Sequence, residues 1–177
     1  MKKYLSIFAA AFVALFGFSS IASAQATEDI TITVALLEWY DISLSATDIT
    51  FDDVMPTASQ TPGTTSIPAN ENAVDVRVFA LIIPGSSLSL TVRANGDLTD
   101  GGTNTIGIGA VSWTATGTGY AAGTMSTAAD VAVGSWAGIA GVLHWYEGTF
   151  SYFFARDYEN QVPATYTSTA TYTLSAI

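Results

Sequence analysis

The sequence predicts an all-β protein: an antiparallel β-sandwich, Ig-like or jelly-roll-like, of about nine short strands, with a β-barrel as the alternative. Three observations support this prediction. Apolar residues alternate with serine and threonine along much of the chain, which is the period of a strand with one face in the core. Helical spacing is not sustained after the first 24 residues. The segments between the alternating runs are too short for the crossovers that parallel strands need.

The first 24 residues have the layout of a cleaved secretory signal peptide. Two lysines precede an apolar run that ends near Phe18 and is too short to span a bilayer, and a small-residue Ala-Ser-Ala site occupies positions 22–24. We therefore expect residues 1–24 to be removed and residues 25–177 to form a single domain. An uncleaved membrane anchor is the alternative. Cleavage predicts export across the inner membrane and a secreted or cell-surface location.

The strands are expected in a defined order, each from its own alternation or apolar run. They are, in chain order, Ile30–Leu37, Ile42–Phe51, Ala73–Ile83, Ser87–Arg93, Ala110–Ala115, Val131–Trp136, Gly141–Glu147, Thr149–Phe154 and Thr165–Ile177. Segments rich in Pro, Gly, Asn and Ser predict turns at positions 56–72, 95–97, 100–102 and 117–127. In the last strand the even positions are expected to face the core and the threonines to face outward.

The charge of the chain excludes several classes of partner. It carries 15 acidic and 5 basic residues, and loss of the two signal lysines would leave three arginines and a formal charge of −12. Nucleic acid and anionic membrane surfaces would repel such a chain, so neither is expected as a partner. The absence of cysteine excludes disulfides, thiolate metal sites and a cysteine nucleophile.

The sequence gives no positive sign of catalysis, and we do not expect an enzyme. His144 is the single histidine, and it lies on a predicted strand among aromatic residues. Proton transfer requires a positioned partner, and no motif places an acid or a hydroxyl beside this ring. A packed strand side chain is the simpler interpretation. No cofactor is expected, apart from calcium at one acidic turn.

This acidic turn spans positions 97–104 and contains Asp97, Asp100 and Asn104. Two carboxylates, an amide and flexible backbone carbonyls suit calcium, which takes six to eight oxygen ligands. Asp, Asn and Gly are also the residues from which turns are made, so a solvated hairpin turn is the alternative.

Aromatic residues are concentrated between positions 136 and 154. Side chains alternate along a strand, so the consecutive aromatics at 152–154 cannot all face the core. Exposed aromatic patches mark interaction sites. We therefore consider a secreted adhesive or carbohydrate-binding module, with a surface glycan as partner, an alternative function. Its candidate ligand-binding residues are Trp136, Trp145, Tyr152 and Phe154.

Strands at both ends of the exported chain favour assembly with other copies. Sheet edges with unpaired backbone groups are templates for another chain, and without lysine this chain lacks a common protection against strand addition. We expect the N-terminal strand to act as donor and the last strand to line or flank the accepting groove. The expected subunit-interface residues are Ile30, Ile32, Val34 and Leu36 on the donor, with Tyr166, Tyr172 and Leu174 on the last strand.

Several short segments carry a family resemblance. They are Ile49–Pro56 (ITFDDVMP), the Pro- and Gly-rich stretch after it, Val74–Val78 (VDVRV), Asp97–Thr99 (DLT) and Ala164–Thr167 (ATYT) before a Thr-rich strand. In this order the chain resembles secreted bacterial and archaeal β-sandwich surface proteins, among them TasA-type matrix-fibre subunits and pilins assembled by donor-strand exchange. The resemblance implies a structural subunit of an extracellular fibre, pilus or biofilm matrix, which forms a homopolymer by β-strand addition.

Overall fold

The computed structural model describes residues 31–53 and 63–177. The chain divides into two units between Leu36 and Leu37. The first is described in residues 31–36, which form neither helix nor strand. The expected signal peptide and its cleavage site lie outside the described residues.

The second unit is all-β and antiparallel, as the alternation predicts. Its strands are β1 (Trp39–Leu44), β2 (Thr64–Leu81), β3 (Leu88–Ala94), β4 (Leu98–Thr99), β5 (Thr105–Ile106), β6 (Val111–Thr116), β7 (Gly123–Thr124), β8 (Val131–Trp136), β9 (Leu143–Asp157) and β10 (Ala170–Ala176). A 3-10 turn covers Ile108–Ala110. Within the described residues, no helix has the length and apolarity required to cross a membrane.

The strands form one large sheet, one smaller sheet and a hairpin. The five-stranded sheet has the order β1-β2-β9-β6-β7, and the three-stranded sheet has the order β10-β3-β8. β4 and β5 pair with each other. Both larger sheets contribute to one cluster of buried side chains, with Val74, Val76 and Val78 from β2, Leu88, Leu90 and Val92 from β3, Val133 from β8, and Phe150 from β9.

One side of the two larger sheets is joined through the backbone. The N–H of Ala121 donates to the carbonyl of Val133 at 2.9 Å, and the N–H of Ser135 donates to the carbonyl of Gly119 at 2.9 Å. The segment before β7 therefore continues the hydrogen bonding from the five-stranded sheet to β8. β1 and β10 are the edge strands at the other side.

β2 begins earlier than predicted, and the expected turn over positions 56–72 is wrong for residues 64–72, which belong to this strand. Residues 64–68 pair with β9, and the buried Ile67 and Ala69 supply the apolar half of an alternation. The register shifts between Pro68 and Ala73, and Asn72 has a φ of 58°. Asn tolerates this left-handed conformation, so turn-forming residues here serve a bulge within a strand.

The two predicted strands Gly141–Glu147 and Thr149–Phe154 are one strand, β9. Gly148 lies in its middle, opposite Val76. A Cβ at this position would approach the Tyr120 ring within 2.5 Å and the carbonyl oxygen of Thr116 within 2.4 Å. The glycine therefore permits a close approach of neighbouring groups and does not break the strand.

The other strand predictions have mixed outcomes. Val131–Trp136 is confirmed, and the strands predicted at 87–93 and 110–115 agree with β3 and β6 to within one residue at each end. The strand predicted at 42–51 is displaced, since β1 spans Trp39–Leu44. The predicted strand Ile30–Leu37 is wrong over 31–37, where no strand forms. A strand needs a backbone partner, and none pairs with this segment in the described part of the chain.

Candidate functional site

The N-terminal segment carries apolar side chains in water. Ile32, Val34 and Leu36 are 82%, 74% and 90% exposed, and Ile30 lies outside the described residues. Their spacing places them on a single face of any extended conformation. The segment therefore carries an apolar stripe that remains exposed among the described residues.

The side chains of the last strand, β10, alternate between the core and the exposed face of the smaller sheet. Tyr172 and Leu174 are half-buried and pack against the core, and Thr171 and Thr173 are exposed, as the alternation predicts. Ala170 and Ala176, which are also at even positions, are exposed. β10 is shorter than the predicted strand, and Tyr166 precedes it. The Tyr166 hydroxyl donates to the carbonyl of Val162 at 2.9 Å, so this residue is not in line with the other two interface candidates.

β1 and β10 each have one unpaired edge within the described chain. Ile177 and Ser87 exchange hydrogen bonds of 2.8 and 3.1 Å, which shows that odd-numbered residues of the last strand bond to β3. Antiparallel alternation then directs the N–H and C=O groups of Ala170, Tyr172, Leu174 and Ala176 away from β3. Even-numbered residues of β1 point away from β2 by the same argument, because Ser45 donates to Asp75 at 2.9 Å.

The unpaired edges also carry half-buried apolar side chains. Tyr40, Ile42 and Leu44 of β1, with Tyr172 and Leu174 of β10, pack against the core but remain partly accessible. Cα atoms of β1 and β10 come within 8 Å of each other, with no ladder between the two strands. Two incomplete edges thus face the same part of the core.

Only one of the four candidate ligand-binding aromatics is well exposed. Trp136 is buried, and its indole N–H donates to the carbonyl of Thr118 at 2.9 Å. Tyr152 is also buried. Phe154 is half-buried, with its ring 5.8 Å from that of Phe51. Trp145 remains on the surface with 63% of its area exposed.

The structure adds two aromatics that the sequence analysis missed. On the outer face of the five-stranded sheet, the Phe79 ring lies 4.5 Å from Trp145 and 5.7 Å from Trp39. These three residues form an aromatic cluster on β1, β2 and β9. The sequence contained a signal for Phe79. Its odd-numbered position places it on the opposite face of the strand from the buried Val74, Val76 and Val78.

A polar surface adjoins this aromatic cluster on the same face. Arg77 and Glu147 form an exposed salt bridge at 3.1 Å. Ser43, Ser45, Asp75 and Arg77 line a shallow depression. Exposed ion pairs contribute little to stability, so the salt bridge between Arg77 and Glu147 adds little to the pairing of β2 with β9.

In the acidic turn, the three predicted metal ligands bond to the protein itself. Asp97 accepts from the N–H of Ile108 at 2.9 Å. Asp100 accepts from the Asn104 amide at 2.6 Å and from the N–H of Gly102 at 2.8 Å, and these bonds lower the pKa of Asp100. No group of three or more His, Cys, Asp or Glu side chains is arranged around a common point in residues 31–53 and 63–177.

His144 is on the inner half of β9. Its ring is nearly parallel to that of Tyr146, at 6.1 Å between centroids. Its Nε2 atom is buried and has no hydrogen-bond partner among the described residues. Within residues 31–53 and 63–177, no hydroxyl or carboxylate is hydrogen-bonded to this nitrogen.

The comparisons with known proteins add no family to this description. No protein-family model matches the chain, and no curated protein matches it.

Proposed function

We propose that this protein is an exported structural subunit of an extracellular fibre, pilus or biofilm matrix, which polymerises by β-strand addition between copies. In this proposal the two larger sheets form a β-sandwich that is incomplete between β1 and β10. Residues 30–36 of one copy add to this side of the next copy. Ile30, Ile32, Val34 and Leu36 then contact the apolar side chains along the two edges.

The observation that carries the proposal is the match between the exposed segment and the unpaired edges. β10 directs the backbone groups of four residues away from its sheet, and β1 directs those of three. An added strand would satisfy these groups and exclude water from Tyr40, Ile42, Leu44, Tyr172 and Leu174. Burial of apolar area on both partners supplies the driving force, at about 25 cal/mol per Å².

The two edges must move slightly apart before a strand can insert between them. Two strands that flank a third lie about 9.6 Å apart, twice the normal strand spacing. β1 and β10 come within 8 Å at their closest Cα atoms. Assembly is therefore expected to be slower than simple surface association, because the edges must move apart before the ladder forms.

Engineered disulfides test this mechanism without background, because the chain has no cysteine. The exported form is prepared with Ile32→Cys combined with Ala170→Cys, and separately with Ala176→Cys. These alanines lie at the two ends of β10. Under mild oxidation, strand addition between copies predicts a ladder of covalent multimers on a non-reducing gel from one of the two double variants.

The controls define the failure of the proposal. Each single-cysteine variant can form only dimers. The double variant that gives the ladder reports the direction of the added strand. If both double variants yield only monomers with an internal disulfide, residues 30–36 cover the edges of their own chain, and the proposal is wrong. Negative-stain microscopy of the parent protein should show fibres.

A further inference from the structure

The outer face of the five-stranded sheet is apolar at one end and polar at the other. Cross-strand partners form rows along β1, β2 and β9. The first row is Trp39, Leu81 and Leu143, the second is Asp41, Phe79 and Trp145, and the third is Ser43, Arg77 and Glu147. We define the apolar end as Trp39, Phe79, Leu81, Leu143 and Trp145.

The apolar end is large and largely uncovered. Trp39 is 64% exposed and Leu143 is 53% exposed. Ile83 and Val142, in the connections beyond these strands, are also exposed. Large contiguous apolar patches on soluble proteins mark interaction sites. This end therefore has the composition of an interface core.

The apolar end follows the donor segment closely in the sequence. Trp39 is three residues after Leu36, so the two are at most about 10 Å apart along the backbone. On the apolar-end side of this link, the Glu38 carboxylate accepts from the Ile83 N–H at 3.1 Å and from the Tyr40 hydroxyl. A copy that captures residues 30–36 is thus held close to the apolar end.

We propose that the apolar end docks on the second copy of this chain that accepts the donor segment. This inference rests on the proposed function, and it adds a second contact to the same pair of subunits. The donor segment supplies backbone pairing, and the apolar end supplies a side-chain contact that orients the two copies. Because only two residues separate Leu36 from Trp39, a copy bound through one contact is close to the other.

Ring geometry favours a protein partner over a glycan at this surface. The Trp39 and Phe79 rings are inclined by 78°, and those of Phe79 and Trp145 by 54°. The aromatic cluster therefore lacks the shared plane on which successive sugar rings would stack. Leu81 and Leu143 extend it with aliphatic side chains, which pack against other apolar side chains and offer no hydrogen bonds to sugar hydroxyls.

The experiment introduces serine at two exposed apolar positions of the exported chain, one in the apolar end and one outside it as a control. Leu143→Ser alters the apolar end, and Val162→Ser alters an apolar residue outside it with similar exposure, 51% against 53%. Trp145→Ser provides a second change in the apolar end. Thermal unfolding followed by circular dichroism establishes that each variant is folded. Sedimentation at a series of protein concentrations then gives the critical concentration for assembly.

We expect Leu143→Ser and Trp145→Ser each to raise the critical concentration roughly tenfold or more, since interface cores concentrate binding energy in a few apolar anchors. Val162→Ser should change it by less than about twofold. Disulfide ladders formed above the new critical concentration would show that strand addition survives in these variants.

Other outcomes separate this inference from the proposed function. Normal ladders with unchanged critical concentrations in both apolar-end variants would overturn the docking surface and leave strand addition intact. Absence of ladders in the parent background would overturn strand addition and this inference together. Loss of binding to an insoluble polysaccharide by Trp145→Ser, with assembly unchanged, would overturn the docking surface in favour of a glycan site.

Discussion

The hydroxyl oxygens of Tyr152 and Tyr172 lie 2.6 Å apart, and their hydrogen bond joins β9 of the larger sheet to β10 of the smaller one. Tyr152 is buried and Tyr172 is half-buried, and the Phe150 ring is nearly parallel to the Tyr172 ring at 6.2 Å. The bond fixes the last strand over the core. It therefore holds one of the two edges at which strand addition is proposed.

Tyr172→Phe should lower the free energy of unfolding by about 1–2 kcal/mol, because it leaves the buried Tyr152 hydroxyl without its partner. Chemical denaturation measures this change. The double variant with Tyr152→Phe should cost less than the sum of the two single changes, since it leaves no orphaned hydroxyl. Tyr166→Phe, which removes a hydroxyl outside the core, is the control. A double variant that costs the full sum would contradict coupling of the two hydroxyls.

Stability should decrease at alkaline pH through tyrosines that are buried or half-buried. Burial is the main cause that raises the pKa of Tyr152 and Tyr172, and it raises the pKa of Tyr120 to about 12. Above pH about 10 the unfolded chain loses phenolic protons that the folded chain keeps. Each such group lowers the free energy of unfolding by up to about 1.4 kcal/mol per pH unit.

Melting curves recorded between about pH 8 and about pH 11.5 check this dependence. The Tyr152→Phe/Tyr172→Phe double variant should show a shallower decrease than the parent. Equal slopes would mean that these phenols ionise alike in the folded and unfolded chains.

Neighbouring positions of β10 should respond in opposite ways to a charge. Leu174→Asp should destabilise the fold by roughly 2–4 kcal/mol, because it removes a side chain packed on the core and desolvates a carboxylate. Thr173→Lys, on the exposed face opposite Thr91, should change stability by less than about 0.5 kcal/mol. Thr171 is less suitable, because its partner is Arg93. If Leu174→Asp unfolds at the same denaturant concentration as the parent, the inward assignment is wrong.

Calcium binding at positions 97–104 stays a prediction. If the turn binds calcium, chelation should lower the melting temperature, since a ligand that binds only the folded state stabilises it. Asp100→Ala should remove this sensitivity. It also removes the bonds from Asp100 to Gly102 and Asn104, so its melting temperature in chelator is the necessary reference. A parent protein that melts at the same temperature with calcium and with chelator has a plain turn here.

The sequence by itself determined the all-β antiparallel class, the extent of β8 and the inward side of β10. Each depends on alternation within one strand, which side-chain hydropathy records locally. Tyr172 and Leu174 face the core for this reason, and Thr171 and Thr173 do not.

Only the tertiary structure decided which strands are neighbours and which edges stay unpaired. Every residue except proline offers the same backbone N–H and C=O groups, so pairing between distant segments leaves little trace in the residue types. The Asn72 bulge, the continuity of β9 through Gly148 and the placement of Trp136 in the core and Trp145 on the surface follow from that pairing. Local periodicity records which side of a strand is apolar, whereas long-range hydrogen bonding decides what covers that side.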